Sequence, residues 1–188
     1  MTRALAPLLA LPLLLAASAA HAQVFVNGTG EAHSCYMSTK TGDMGSVGAI
    51  RTCTEALSEA MTRSDEAATY VNRGVLLMRK GDQAAAVADY KRAIAIREDI
   101  PEAYINYAAA LYYTDRFDDA LDAVNTALSL GTQKEAEALF NRALIYDRQG
   151  NLKGAYRDLT RVLELKPDWE LAQTARARYQ VRKASPAP

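Results

Sequence analysis

Cys35 and Cys53 are the only thiols in the 188-residue chain, and such a pair can either close one disulfide or lend two ligands to a metal. The metal reading lacks partners, because no Cys-x-x-Cys spacing occurs and the only histidine beyond the N-terminal stretch is His33. The start of the chain reads as an export signal, and exported thiol pairs oxidise and stay oxidised, so a Cys35–Cys53 disulfide is expected. Its loop holds Gly42, Gly45 and Gly48, and bridging it would stabilise the fold by about 3 kcal/mol through the unfolded state. A second spacing concerns charge. Arg73 and Asp89 lie 16 residues apart, as do Arg142 and Asp158, while Tyr107 and Ala123 replace both members at the matching places between them. We read the two pairs as structural ion pairs, since a half-buried arginine more often ties elements together than holds a ligand.

Catalytic chemistry needs a convergent nucleophile, base or metal set, and none is visible. His33 stands alone, no serine sits in a Gly-x-Ser-x-Gly setting, and Asp118-Asp119 and Glu135 with Glu137 fall at helix starts, where the helix dipole accounts for them. The chain therefore reads as a non-enzyme without cofactor or metal.

The elements that position the arginines repeat. Tyr70-Val-Asn-Arg-Gly74, Tyr104-Ile-Asn-Tyr-Ala108 and Leu139-Phe-Asn-Arg-Ala143 align at spacings of 34 and 35 residues. Each is followed by a turn signal, at Gly81-Asp82, Asp115-Arg116-Phe117 and Gly150-Asn151-Leu152, and then by a second apolar-periodic helix. The second helices share a register of small and large residues: Ala86, Ala120 and Ala155, then Tyr90, Val124 and Leu159, then Ala93, Ala127 and Val162. Small residues let paired helices approach, and the larger ones are buried only when units stack. Pro101 is placed to open the second unit, Gly131 to end a helix, and Thr132-Gln-Lys-Glu135 to form a capping box.

These positions, from about Ala67 to Trp169, resemble the tetratricopeptide repeat, and specifically exported bacterial members of that family. The resemblance implies an all-α, right-handed helix-turn-helix solenoid of three repeats (67–100, 101–135 and 136–169) with N- and C-terminal capping helices. Alanine replaces the family's helix-A glycine at Ala108 and Ala143, and the closing proline is plain only at Pro167. The resemblance also implies that the first helix of each repeat lines a concave protein- or peptide-binding face. That lining takes Val71, Asn72, Val75 and Met78 from the first repeat, Ile105, Asn106, Ala109, Tyr112 and Tyr113 from the second, and Phe140, Asn141 and Leu144 from the third. Arg79, Glu102, Glu137, Asp147 and Arg148 form a polar rim. Relatives that clamp a terminal carboxylate place lysine and asparagine where Val71 and Val75 stand, so the lining fits an amphipathic helix or extended apolar peptide instead. The three asparagines either hydrogen-bond a ligand backbone or serve the scaffold. The apolar strip is either groove or core; an open strip of this size would need a cover, from residues 23–34, a second copy or a separate partner.

The flanks complete the organisation. Arg3, the apolar run Leu5 to Ala17 and Ala20-His21-Ala22 read as a signal peptide, 1–22, cleaved after Ala22 and leaving no membrane-spanning segment. Residues 23–66 are a cysteine-bearing segment, loose and rich in Gly, Ser and Thr as far as Ser46, with an amphipathic capping helix from Val47 to Met61. Asn27-Gly28-Thr29 matches a glycosylation acceptor. Residues 170–188 are a capping helix with a basic outer face, either solvated or turned to a membrane or acidic partner, and a disordered tail at Ser185 to Pro188. The 22 basic and 22 acidic side chains cancel, which disfavours nucleic acid as a partner. The reading is an exported, most simply periplasmic, binding scaffold, with a self-associating structural protein of the envelope as the alternative.

Overall fold

The computed structural model describes Val24, Val26 and residues 30–183. The stretch read as a signal peptide, the Asn27-Gly28-Thr29 motif and the tail expected to be disordered lie outside the described residues. Nine helices and no strand occur among those described: α1 (Glu31–Lys40), α2 (Val47–Ala56), α3 (Arg63–Lys80), α4 (Gln83–Ile96), α5 (Pro101–Tyr113), α6 (Phe117–Ser129), α7 (Glu135–Arg148), α8 (Leu152–Leu165) and α9 (Glu170–Lys183). None of them is long and apolar enough to cross a membrane.

The helix ends follow local chemistry. Thr62 opens α3 reciprocally with Asp65: its hydroxyl accepts from the Asp65 N–H at 3.1 Å and donates to Oδ2 at 2.7 Å. Asp82 and Asn151 cap α4 and α8 by accepting from Ala85 N–H and Gly154 N–H. Gly81 and Gly150 close α3 and α7 with φ of 89° and 76°, and Asp115 holds the same place after α5 with φ of 57°. Thr132 does not form the expected capping box. Its hydroxyl instead accepts from the Lys134 N–H at 2.9 Å, closing a turn, and α7 starts at Glu135 without a side-chain cap.

Helices pair as α3 with α4, α5 with α6 and α7 with α8, and each second helix also packs on the next first helix, α9 serving as that neighbour for α8. Both α1 and α2 pack on α3, so they stand where a preceding repeat would. Fully buried Leu76, Ile105, Leu111, Ile145 and Leu159 anchor this stacking, each stabilising by about 1.5–3 kcal/mol relative to exposure.

Two expectations for the N-terminal segment are corrected. Residues before Ser46 are not uniformly loose, because α1 forms within them. Ser34, Ser38 and Thr41 donate their hydroxyls to carbonyls four residues back, which satisfies them inside the helix, while Cys35 and Thr39 are buried. Cys35 is disulfide-bonded to Cys53 on α2. The second helix stops at Ala56, short of Met61: Ser58 N–H and its hydroxyl both turn back to the Glu55 carbonyl, redirecting the chain into Thr62 and α3.

One glycine is demanded by its neighbour. A Cβ at Gly74 would lie 2.5 Å from the ring of Tyr90, the largest residue at its register, whereas Ala108 and Ala143 are matched with Val124 and Leu159. Gly74→Ala should therefore cost about 1–3 kcal/mol by overpacking. Tyr90→Leu should recover much of that loss in the double variant, since the buried Tyr90 hydroxyl has no hydrogen-bond partner among the described residues to forfeit. Urea unfolding of the two single variants and the double variant checks this; purely additive costs would show that Tyr90 is not what the glycine accommodates.

Candidate functional site

Asn72, Asn106 and Asn141 occupy one register on α3, α5 and α7, and all are buried. Asn141 Nδ2 donates to the Ile105 carbonyl of the preceding first helix at 3.4 Å, so this residue joins neighbouring repeats. Asn72 does something different. Its Nδ2 donates to the Val24 carbonyl at 2.9 Å and its Oδ1 accepts from the Val24 N–H at 3.2 Å, holding a backbone from outside the helical scaffold.

The apolar strip divides. Val71, Val75, Ile105 and Phe140 are buried in the core and line no open groove, which corrects the binding role read for Val75, Ile105 and Phe140. Ile105 packs in the core of the middle unit with Leu111, Val124 and Ile145, and at the two ends the cause is capping. Val24 packs against the cluster that contains Val71, α1 and α2 pack on α3, and Trp169 stacks on Phe140 with ring centres 4.8 Å apart. Glu137, assigned to the rim, is also buried, with Lys166 Nζ 2.7 Å from its carboxylate. Met78, Ala109, Tyr112 and Leu144 remain half-buried, and Tyr113 is 40% exposed.

Tyr113 belongs to an aromatic corner where α5 turns into α6. Tyr112 meets Tyr113 edge-on at 5.5 Å and Phe117 at 5.8 Å, and the Arg148 guanidinium lies 4.7 Å over Phe117 while pairing with Asp115 at 2.9 Å. Burial raises the Tyr113 hydroxyl above its ordinary pKa, with Tyr112 adding to the effect, so it stays protonated near neutral pH. The register explains its exposure. Arg79 and Arg148 occupy the same position in the flanking repeats and each latches the preceding turn, Arg79 Nη1 donating to the Thr39 and Asp43 carbonyls at 3.0 and 2.9 Å. Tyr113 replaces that latch with an aromatic face.

The 16-residue pairs meet. Arg73 Nε and Nη2 lie 2.7 and 2.8 Å from the Asp89 carboxylate, and Arg142 makes the same fork to Asp158 at 2.6 and 3.1 Å. Each arginine has a further donor, absent from the sequence argument, that reaches the second helix of the unit before: Thr54 on α2 for Arg73, Asn125 on α6 for Arg142. Thr54 thus plays the part of Asn125, further evidence that α1 and α2 substitute for a repeat. Hydrogen bonds that Arg73 donates to the Asp89 carboxylate, opposed by burial, raise the Arg73 pKa above its ordinary value. These residues are joints of the scaffold, and among the described residues no group of three or more His, Cys, Asp or Glu side chains is placed to hold a metal.

Two models described as tetratricopeptide repeat match the chain, over residues 67–100 and 136–169. Over these residues the chain carries tetratricopeptide repeats. No curated protein matches it significantly in sequence. Among solved structures it is similar to MamA (TM-score 0.66, 23% identity, covering 79% of this chain and 84% of that one) and to YrrB (TM-score 0.64, 21% identity, 77% and 71%), described as a tetratricopeptide-repeat protein with an unusual peptide-binding site. It is also similar to the first such domain of Spaghetti (RPAP3), bound to an HSP90 peptide (TM-score 0.59, 24% identity, 63% and 94%). At these identities the likeness shows the fold. The middle unit of this tetratricopeptide-repeat protein, α5 with α6, departs furthest from its flanking repeats, with Tyr107, Ala123 and Tyr113 where they carry Arg, Asp and Arg.

Proposed function

We propose that this protein is an exported, non-catalytic scaffold that binds a protein or peptide partner on the face formed by the first helices of its repeats. The observation that carries the reading is the aromatic corner of Tyr112, Tyr113 and Phe117, whose Tyr113 is exposed where the flanking repeats spend arginines on their own turns. Aromatic side chains of this kind supply most of the free energy at protein interfaces. The peptide bound to the Spaghetti (RPAP3) domain and the peptide-binding site of YrrB support the same use of the fold. Export to a compartment such as the bacterial periplasm is supported by the apolar N-terminal run with its Ala20-His21-Ala22 site, and by a disulfide that suits an oxidising environment.

Capture of partners from the native envelope tests the surface. Tyr113→Ala should weaken capture by about 2 kcal/mol, with little change in melting temperature. Glu102→Ala, at the polar rim, should change it by under about 1 kcal/mol. If Tyr113→Ala retrieves the same partners at undiminished affinity, this corner is not the binding surface.

A further inference from the structure

Between the second helices α4 and α6, and lined also by α5, lies a cleft of 390 Å³, within the range of about 300–1,000 Å³ typical of ligand pockets. Its position follows from the repeat register. In the first repeat the matching place is filled by guanidinium groups: Arg73 and Arg92 lie 5.5 and 5.7 Å from the centre of the Tyr70 ring, and both pair with Asp89. In the third, Arg142 holds Asp158, and Arg161 pairs with Glu135 and Glu164. The middle unit keeps the aromatic ring, as Tyr104, and has neither arginine, since Tyr107 and Thr126 stand in their places. The charge is inverted as well. Asp119 and Asp122 line this cleft where the first repeat has Ala85 and Ala88 and the third has Gly154 and Arg157.

Asp119 is paired with Arg116 at 2.6 Å, whereas Asp122 is exposed and has no cationic partner among the described residues. Thr126 donates its hydroxyl to the Asp122 carbonyl at 2.9 Å, so its oxygen can only accept from a group entering the cleft. Burial raises the hydroxyls of half-buried Tyr104 and Tyr107 above their ordinary pKa, and both rings are neutral phenols near pH 7. Two aromatic rings, a carboxylate and an accepting hydroxyl complement a flat cation with several N–H donors. The opposing charge in the lining is Lys91, exposed on α4 at the position from which Asn125 accepts from Arg142 in the next joint. We propose that this cleft is a docking site for an arginine side chain on a segment of a partner protein, which supplies from outside the guanidinium that the flanking repeats carry themselves. Lysine suits it less, because an ammonium has no plane to stack on Tyr104 or Tyr107. None of Tyr112, Tyr113 and Phe117 lines the cleft, so the site is distinct from the aromatic corner.

The probes are three N-acetylated, C-amidated tripeptides, Ala-X-Ala, in which X is arginine, its neutral isostere citrulline, or lysine. Binding to the ¹⁵N-labelled full chain is read from amide chemical shifts. The arginine peptide should give saturable shifts at Tyr107, Asp122 and Thr126, and bind at least about tenfold more tightly than the citrulline peptide, with lysine between them. Asp122→Asn should weaken the arginine peptide by about threefold, as expected for an exposed charge, and Lys91→Met should strengthen it. Two further variants fill the cleft from within. Thr126→Arg sets a guanidinium against Tyr104 as Arg92 is set against Tyr70, and Tyr107→Arg/Ala123→Asp copies the flanking joint. Either should abolish binding, and thermal melts establish which of them is folded, Thr126→Arg being at a partly exposed position. Absence of saturation by the arginine peptide, equal affinity for the citrulline or lysine peptide, or undiminished binding by a folded filled variant would overturn the proposal. Saturable shifts at Tyr113 in place of those at Tyr107 and Asp122 would also overturn it, and would assign the arginine to the aromatic corner.

Discussion

Phe140→Ala is expected to cost about 3–5 kcal/mol, the range for deleting a buried aromatic side chain, and to lower the melting temperature by on the order of 10 °C. The ring is 1% exposed, stacked on Trp169, and shares a cluster with Leu159, Val162, Ala172 and Ala175, so it fastens α7 to both α8 and α9. Its removal also leaves the indole of Trp169 without its stacking face. Lys166, which lies 5.4 Å over that indole and pairs with buried Glu137, then loses half of its setting. The damage should appear first at the C-terminal end, as faster proteolysis within α9 at temperatures where the other repeats remain folded, because a solenoid loses terminal units before central ones. Partner capture by the folded fraction should persist. A Phe140→Ala chain that melts as the unsubstituted one does and fails to capture partners would return Phe140 to the binding surface.

Phe140 also shows where sequence reasoning ran short. Its register on the first helix marks it as lining for a groove, and that inference is sound for a long solenoid with an open inner face. Here the closing Pro167 directs Trp169 back onto α7, and nothing in the spacing of Phe140 and Trp169 announces their stacking. Val75 illustrates the same limit at the other end, since its burial accompanies an α1 whose composition is unlike a helix. The run Glu31–Lys40 has three serine or threonine residues and little apolar periodicity, and its helix is secured by contacts with α3 and by Cys35 joined to Cys53. Tertiary packing overrides local propensity in such a segment. Features built on equal spacings were legible: the repeat register, the small residues facing Tyr90, Val124 and Leu159, and the arginine–aspartate separation. Features that cross from the repeats to the flanks were not, among them Arg73 to Thr54, Arg79 to the Asp43 turn and Asn72 to Val24.

Asp158→Ala is expected to cost about 3 kcal/mol, the lower end for breaking a buried ion pair, because it strands a guanidinium that is largely enclosed. Asp158 is 2% exposed and accepts the two-pronged contact from Arg142, whose third nitrogen is committed to Asn125 at 2.9 Å. With the carboxylate gone, Arg142 has to swing into solvent, which breaks the Asn125 link between α6 and α7, or remain unpaired. The middle repeat already contains the alternative, with Tyr107 and Ala123 at these two positions and both packed in the core layer beside Leu111 and Val124. Arg142→Tyr/Asp158→Ala should therefore lie within about 1–2 kcal/mol of the unsubstituted chain, a coupling opposite in sign to the single losses, since neither a stranded charge nor an unfilled volume remains. Urea unfolding of Asp158→Ala, Arg142→Tyr and the double variant measures that coupling. A double variant as unstable as the sum of the singles would mean that the two positions act independently, and that the tyrosine and alanine of the middle repeat depend on their own neighbours, Lys91, Ile94 and Tyr104, which line the 390 Å³ cleft around them.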